Sequence, residues 1–273
     1  MVRDQSDKGP SDSSSPPLPP PSPRAALTGA THPLVIYCGN FLFAYRDYLF
    51  PLLFMILLLS TKPTLPFGSE RIDWWMDVLG IVVVLVGQGC RVLAIGFVDN
   101  IGRGGHQKRV AAGILIRSGV FAHTRNPLYV GDLLIVCGLV LIASCYWGYL
   151  LVLPGFVGVY WAIVLAEEDF LGQKFGQDYV SYCQTVNRFV PKFTGFSHSL
   201  TGCSFDWKRV VRKEYGIACT WGTMVLCLLI WKQWERVGYA ARTGIQELSA
   251  LFLLLLVCYG GGLWLNKSGR LRS

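Results

Sequence analysis

The chain has 273 residues, of which 52% are hydrophobic and only 15% are charged. Soluble domains carry about 25% charged residues, so this composition excludes a soluble, disordered or collagen-like chain and indicates an integral membrane protein. The net charge of +8 does not by itself indicate nucleic-acid binding, because membrane proteins concentrate lysine and arginine in cytoplasmic loops.

The nine cysteines form no CxxC pair and no cluster with histidine at the spacing of metal ligands. The sequence therefore predicts neither a disulfide framework nor a metal site. Several cysteines fall inside apolar runs, where we interpret them as small buried hydrophobic residues.

The first 33 residues contain eight of the fourteen prolines and no apolar segment. We interpret residues 1–33 as a disordered cytoplasmic tail and not as a secretory signal. Apolar runs of the length that crosses a bilayer then recur in chain order at 41–60, 78–98, 128–146, 148–166, 215–231 and 248–265. The prediction is an all-α polytopic membrane helical bundle of about six transmembrane helices with a cytoplasmic cofactor pocket.

The division into regions follows the same map. Residues 34–112 are predicted to hold the N-terminal transmembrane helices and a basic linker, residues 113–193 the cofactor-binding region, and residues 194–273 two C-terminal transmembrane helices with a basic tail. The third and fourth spans are separated only by the region of Trp147 and Gly148, which predicts a tight helical hairpin.

Orientation follows from the distribution of cations. Eighteen lysines and arginines fall in the tail, the loop after span two, the segment after span four and the C-terminal end, against five on the opposite side. By the positive-inside rule, both termini and the active site are predicted to face the cytoplasm.

Six ionisable residues lie within or at the ends of the predicted spans, all towards the cytoplasmic side: Arg46, Asp47, Arg91, Asp132, Glu167 and Glu168. Any single one of them is explained by snorkelling or by a structural ion pair. Because six converge at one depth, we instead predict a polar pocket that opens to the cytoplasm and holds a charged ligand.

From residue 113 the chain reads GILIRSGVFAHTRNPLYVGD, then a hairpin, then AEEDFLGQKFGQDYVSYCQTVNRFVPKF. This order of motifs resembles the isoprenylcysteine carboxyl methyltransferase family and its phospholipid methyltransferase relatives. The residues that carry the resemblance are Ser118, Gly119, Phe121, Arg125, Pro127, Tyr129, Gly131, Glu167, Glu168, Phe175, Gly176, Tyr179, Tyr182, Arg188 and Pro191. The chain departs from the family at Asn126, which stands where the family usually has histidine, and His123 is a candidate substitute.

The resemblance implies an integral membrane methyltransferase that uses S-adenosylmethionine. A site for this cofactor needs an arginine for its carboxylate, one or two carboxylates for its ammonium and ribose hydroxyls, and aromatic surface. Arg125 and Glu168 are the predicted catalytic residues. The predicted cofactor-binding residues are Gly119, His123, Arg125, Asn126, Pro127, Tyr129, Glu167, Glu168, Tyr179 and Tyr182.

Structural explanations compete at several of these positions. Pro127 suits the first turn of a helix, and Gly131 and Gly138 suit close helix packing. The apolar spacing that includes Tyr179 and Tyr182 also fits an amphipathic helix on the membrane surface, where both rings would be interfacial anchors. Gly102, Arg103, Gly104 and Gly105 are interpreted as a flexible linker and not as a phosphate-binding loop.

Adjacent residues of a helix point about 100° apart, so Glu167 and Glu168 are not expected to face one ligand together. Glu168 is the preferred ligand of the two.

The leading hypothesis is methyl transfer to a lipophilic acceptor that reaches the site from the bilayer: an isoprenylcysteine carboxylate, a thiol or a lipid amine. Spans one, two and five are the expected substrate-facing elements, and no nucleic-acid partner is expected. An NADPH-dependent sterol-reductase-like enzyme is an alternative, since Tyr129, Gly131 and Asp132 also fit that pattern, but the Glu167–Glu168 pair opposes a 2'-phosphate. A non-catalytic membrane scaffold is the third possibility.

Overall fold

The computed structural model describes residues 33–60, 62–98, 114–201, 203–237 and 242–268. Within these ranges every regular element is helical. The eight α-helices are α1 Pro33–Ser60, α2 Glu70–Gly96, α3 Pro127–Ala143, α4 Leu153–Phe175, α5 Gln177–Thr185, α6 Phe196–Leu200, α7 Trp207–Val237 and α8 Arg242–Lys267. The predicted tail, apart from Pro33, and the predicted linker at Gly102–Gly105 lie outside the described residues.

The all-α fold class is confirmed, and six long helices cover the six predicted spans. Four helical segments are long and apolar enough to cross a bilayer: Glu70–Gly96, Gly148–Phe175, Trp207–Glu235 and Gln246–Lys267. The apolar helix α3 has only 17 residues. These helices identify an integral membrane protein, while the count of six spans and the orientation stay predictions.

Helices α2 and α3 form the most extensive contact between elements of the described chain. They approach closely because glycines face each other at two levels. A Cβ on Gly80 would lie 2.7 Å from the Gly138 carbonyl oxygen, and a Cβ on Gly87 would lie 2.6 Å from the Gly131 carbonyl oxygen. The interpretation of Gly131 and Gly138 as close packing positions is therefore confirmed.

The hairpin between α3 and α4 forms as predicted. Helix α3 ends at Ser144, whose φ of 47° is left-handed, and a π-helical turn at Gly148–Val152 leads into α4. The backbone N–H and hydroxyl of Thr64, in the α1–α2 connection, both donate to the Ser144 carbonyl at 2.9 and 2.7 Å. The far end of the hairpin is thereby attached to the N-terminal helices.

The interpretation of Tyr179 and Tyr182 as interfacial anchors does not hold. Helix α4 ends before Gly176, which adopts a φ of 54°, and the short helix α5 turns both tyrosines into a buried cluster with Val186. The apolar spacing marks a buried face of α5, but this face packs against Leu115, Leu171 and Phe175 of the protein, and the arginine turn of residues 118–126 accepts a hydrogen bond from Tyr182. Spacing alone does not distinguish protein from lipid as the neighbour.

The C-terminal helices pack on this framework. Helix α7 contacts α2 and α3, and α8 contacts α7. The main core lies between α2, α3 and α7, around Val84, Leu139, Ile142 and Leu228. Helix α1 packs instead against α4, so the two outer elements α1 and α7 reach the central helices from different sides.

Candidate functional site

The candidate site begins at the turn of residues 118–126 that precedes α3. Gly119 adopts a φ of 61°, which glycine tolerates without steric cost, and starts a single 3-10 turn. Pro127 then occupies the first turn of α3, where its missing N–H leaves no helical hydrogen bond unmade. The expected structural role of Pro127 is therefore present.

The segment that follows α5 is hydrogen-bonded to this turn. The Arg125 N–H donates to the Asn187 carbonyl at 2.9 Å, and the Lys192 N–H donates to the His123 carbonyl at 3.0 Å. The Asn126 side chain donates to the Arg188 carbonyl at 3.0 Å. Asn126, which replaces the family's usual histidine, thus ties the turn to the backbone of this segment.

Three side chains, which we name the arginine clasp, form the charged centre of the site: Arg125, Arg188 and Glu168. The Glu168 side chain is only 2% exposed and accepts two bonds from Arg188, Nε to Oε1 at 2.9 Å and Nη2 to Oε2 at 2.6 Å. Arg125 Nη1 lies 3.1 Å from Glu168 Oε1. One carboxylate is therefore shared by two guanidinium groups, which leaves a formal excess of one positive charge.

Two buried nitrogen atoms of the turn have no hydrogen-bond partner: Nε of the clasp residue Arg125, and Nε2 of His123, two residues earlier. Buried donors and acceptors are normally paired, so each of these two atoms is able to take a further hydrogen-bond partner. The other ring nitrogen of His123, Nδ1, contacts the Lys192 carbonyl oxygen, which orients the ring.

Neighbouring groups favour the charged form of Arg125, so the clasp keeps its positive charge. Burial lowers the pKa of Arg125, but the Glu168 carboxylate and Cys183 raise it more, so the net shift is upward. Burial also raises the pKa of Tyr179 and of Tyr182, so both phenols stay protonated. The Tyr182 hydroxyl donates to the Phe121 carbonyl at 2.6 Å, so this side chain is attached to the turn.

Glu167 and Glu168 contact different partners, in agreement with their predicted divergence. Glu167 hydrogen-bonds to the Tyr129 hydroxyl, and this hydroxyl also accepts from Arg46 Nη1 at 3.2 Å. Tyr129 therefore links α1, α3 and α4 beside the arginine clasp. Asp47, which was predicted to converge here, has a side chain outside the described residues.

A second ion cluster, which we name the near triad, consists of Arg91, Asp132 and Glu214. Arg91 Nη1 lies 2.6 Å from Asp132 Oδ1. The other edge of the guanidinium donates to Glu214, Nε to Oε2 at 2.9 Å and Nη2 to Oε1 at 2.8 Å. Asp132 also hydrogen-bonds to Tyr160. The predicted span charges therefore do not all meet in one cluster: Glu168 lies in the arginine clasp, Arg91 and Asp132 lie in the near triad, and Arg46 and Glu167 contact Tyr129.

Sequence reasoning missed two members of these clusters, Arg188 and Glu214, and one residue in contact with the clasp, Cys183. Arg188 was recognised as a motif residue but not as a ligand of Glu168, although its place in the arginine-aromatic-proline element was a usable signal. Glu214 precedes the predicted start of span five at residue 215 and was not among the predicted span charges, whereas it lies inside α7. Cys183, whose Sγ lies 2.6 Å from Arg125 Nη1, gave no signal in the sequence.

The predicted cytoplasmic pocket stays a prediction. The structure has a groove of about 350 Å³ elsewhere, between α1, α7 and α8, lined by Pro51, Cys219, Thr220, Thr223, Met224, Cys227, Leu255, Leu256 and Tyr259. These residues lie on the face of α7 opposite to Glu214, so the groove does not open onto the near triad. Among the described residues, no group of three acidic, cysteine or histidine side chains is arranged to hold a metal ion.

Comparison with known proteins identifies one family that part of this chain resembles. Residues 75–178 match the family model described as phospholipid methyltransferase, and this range includes most of α2, the arginine turn, the helical hairpin and Glu168. No curated protein and no solved structure matches the chain significantly. The match implies a methyl donor and a membrane methyltransferase in general. Residues 75–178 are therefore similar to the phospholipid methyltransferase family, which is related to the isoprenylcysteine carboxyl methyltransferases.

Proposed function

We propose that the protein transfers a methyl group from S-adenosylmethionine to a lipophilic acceptor that enters from the bilayer. The observation that carries this proposal is the arginine clasp together with two buried nitrogen atoms that have no hydrogen-bond partner, Arg125 Nε and His123 Nε2. The clasp has more positive than negative charge, which suits the α-carboxylate of this cofactor.

The residues around the clasp fit the rest of the cofactor. We assign Arg125 and Glu168 to the catalytic centre, with Gly119, His123, Asn126, Pro127, Tyr129, Glu167, Tyr179 and Tyr182 as further binding residues. Glu167 is the carboxylate available to an ammonium or a ribose hydroxyl, and Tyr129 and Tyr179 supply aromatic surface and phenolic hydrogen bonds.

When bound, S-adenosylmethionine supplies an electrophilic methyl group. The protein contributes alignment and exclusion of water, which account for much of the rate in a displacement of this type. Arg125 would orient the donor through its carboxylate, and the buried turn packed on α5 would keep water from the reacting atoms. The acceptor's polar end would lie at the cytoplasmic side, with its hydrocarbon chain in the membrane.

The experiment is methyl transfer by the full chain in lipid nanodiscs. Tritiated S-adenosylmethionine is supplied with N-acetyl-S-farnesylcysteine or with dioleoylphosphatidylethanolamine, and label is counted in the organic phase. Arg125→Gln should abolish transfer because its guanidinium lies in the clasp. Arg117→Gln should keep it, because Arg117 lies in the same loop but pairs with exposed Asp178. Equal transfer by both variants, or none by the unaltered chain with either acceptor or with native lipid extract, would contradict the proposal.

A further inference from the structure

Helix α7 lies outside residues 75–178, yet it presents a buried stripe to the matched helices. The buried members recur at helical spacing, Val210, Glu214, Val225, Leu228 and Lys232, and the partly buried Trp221 lies between Glu214 and Val225. The stripe is apolar in the middle and charged at both ends. Since ionisable side chains in a membrane helix are costly unless paired, each of the two charges needs a partner on a neighbouring helix.

Both partners come from α2, with opposite polarity at the two ends. Glu214 binds Arg91 of the near triad. Lys232 lies 3.0 Å from Asp73 Oδ2 and also contacts Asp77, and we name these three residues the far triad. At about 1.5 Å per residue, Glu214 and Lys232 are about 27 Å apart along α7. Each triad contains one cation and two carboxylates, so α7 is held to α2 twice by equivalent ion clusters.

The near triad extends beyond the α2–α7 contact to helix α3. Arg91 uses its remaining edge to hold Asp132 on α3, three residues from Tyr129. The Asp132 side chain is 19% exposed, compared with 4% for Glu214, so Asp132 is the carboxylate of this triad that is accessible to a ligand. The far triad joins α2 and α7 through the contacts of Lys232 with Asp73 and Asp77.

Glu214 is itself fixed in place. Gln88 Nε2 donates to Glu214 Oε2 at 3.0 Å, and the Trp221 indole donates to Gln88 Oε1 at 2.7 Å. The order of contacts therefore runs from Trp221 through Gln88, Glu214 and Arg91 to Asp132. A chain of satisfied hydrogen bonds of this kind restricts the side chain at its end to one conformation.

We propose that Glu214 is a positioning residue of the acceptor half of the site: it holds Arg91, and through Arg91 it fixes the Asp132 carboxylate, which contacts the polar end of a lipid amine as the methyl acceptor. This inference rests on the proposed methyl transfer. It gives α7, which lies outside the matched segment, a role in acceptor selection and not only in anchoring the bundle.

The test compares two variants that remove one carboxylate from equivalent triads. Glu214→Gln leaves the pair Arg91–Asp132, and Asp77→Asn leaves the pair Lys232–Asp73. Both should lower the thermal unfolding temperature by a similar amount. Both should bind S-adenosylmethionine within about twofold of the unaltered chain, since neither residue is in the arginine clasp.

Methyl transfer in nanodiscs then separates the two roles. With the acceptor that the unaltered chain methylates, Glu214→Gln should lower the rate about tenfold or more, because small misplacements of a positioned group cost factors of this size. Asp77→Asn should transfer at the unaltered rate. Glu214→Asp, which keeps the charge on a shorter side chain, should give an intermediate rate.

Three results would overturn the inference: a Glu214→Gln rate within twofold of the unaltered chain, an equal loss in Asp77→Asn, or loss of cofactor binding in Glu214→Gln. Should Glu214→Gln fail to fold, the Glu214→Asp variant decides by the same criteria. Failure of the proposed reaction itself would appear already in the unaltered chain and is therefore distinguishable from failure of this inference.

Discussion

The arginine clasp and the near triad are both buried clusters of three charged side chains, but their compositions are opposite. The clasp has two guanidinium groups and one carboxylate, whereas the near triad has one guanidinium group and two carboxylates. The clasp joins the turn before α3, the C-terminal part of α4 and the segment after α5, and the near triad joins three long helices. The comparison teaches that the two halves of the proposed site are built to complement different charges.

The largest effect is expected from breaking the clasp at Arg188. Arg188→Gln removes two charge-assisted bonds to Glu168, which are worth about 1.5–3 kcal/mol each when the partner is buried. The affinity for S-adenosylmethionine should fall at least tenfold, as measured by calorimetric titration.

A nearby cation provides the control for Arg188. Lys192→Gln alters an exposed side chain that donates only to the Thr185 carbonyl, so binding should be retained. Equal losses in the two variants would mean that general basicity, and not the clasp, attracts the cofactor.

The near triad can be distorted without changing any charge. A Cβ on Gly131 would lie 2.5 Å from Arg91 Cγ and 2.7 Å from the Gly87 carbonyl oxygen. Gly131→Ala should therefore destabilise the protein by about 1–3 kcal/mol, the usual range for overpacking, and lower acceptor methylation more than cofactor binding.

Gly158→Ala is the matched control, because no atom lies within 4 Å of its Cβ position in α4. It should be neutral or stabilising by about 0.5–1 kcal/mol. Thermal unfolding in nanodiscs measures both, and an unchanged Gly131→Ala variant would contradict the close packing of α2 on α3.

A smaller effect is expected at Asn126, which contacts the segment carrying Arg188. Asn126→Ala removes its bond to the Arg188 carbonyl and should cost about 1 kcal/mol of stability, with a several-fold loss of cofactor affinity. Asn126→His tests whether the family's usual residue makes the same contact. If Asn126→Ala bound the cofactor more tightly than the unaltered chain, Asn126 would not be needed to hold the turn in place.

The smallest effect is expected at the start of the contact chain to Asp132. Trp221→Phe keeps the aromatic ring and removes the bond to Gln88, so it should cost about 0.5–1.5 kcal/mol. Acceptor methylation should fall less than in Glu214→Gln. A larger loss in Trp221→Phe would place the acceptor against α7 itself and not against Asp132.

Much of this arrangement was predictable from local sequence. The apolar runs fixed the six long helices, and the Trp147–Gly148 region predicted the hairpin. Arg125, Glu168 and the divergence of Glu167 followed from motif order and helical geometry. These features depend on neighbours in the chain or on the period of one helix, which sequence patterns report directly.

The missing part depended on contacts between distant segments. Glu214 approaches Arg91 only because α7 packs along α2. Tyr179 is buried in a cluster that includes the distant residue Leu115. An apolar or charged residue in one helix does not specify which helix it meets. Spacing therefore identified which face of a helix is buried, but it predicted lipid as the neighbour of Tyr179 and Tyr182 where the fold places protein.

The most direct test of the account is calorimetric titration of the detergent-purified protein with S-adenosylmethionine and, separately, with NADPH. The account predicts micromolar binding of S-adenosylmethionine, lost in Glu168→Gln because both arginines of the clasp depend on that carboxylate. Binding should be retained in Asp169→Asn, the adjacent buried carboxylate that bonds to Gln173. Binding of NADPH alone, or S-adenosylmethionine binding that survives Glu168→Gln, would contradict it.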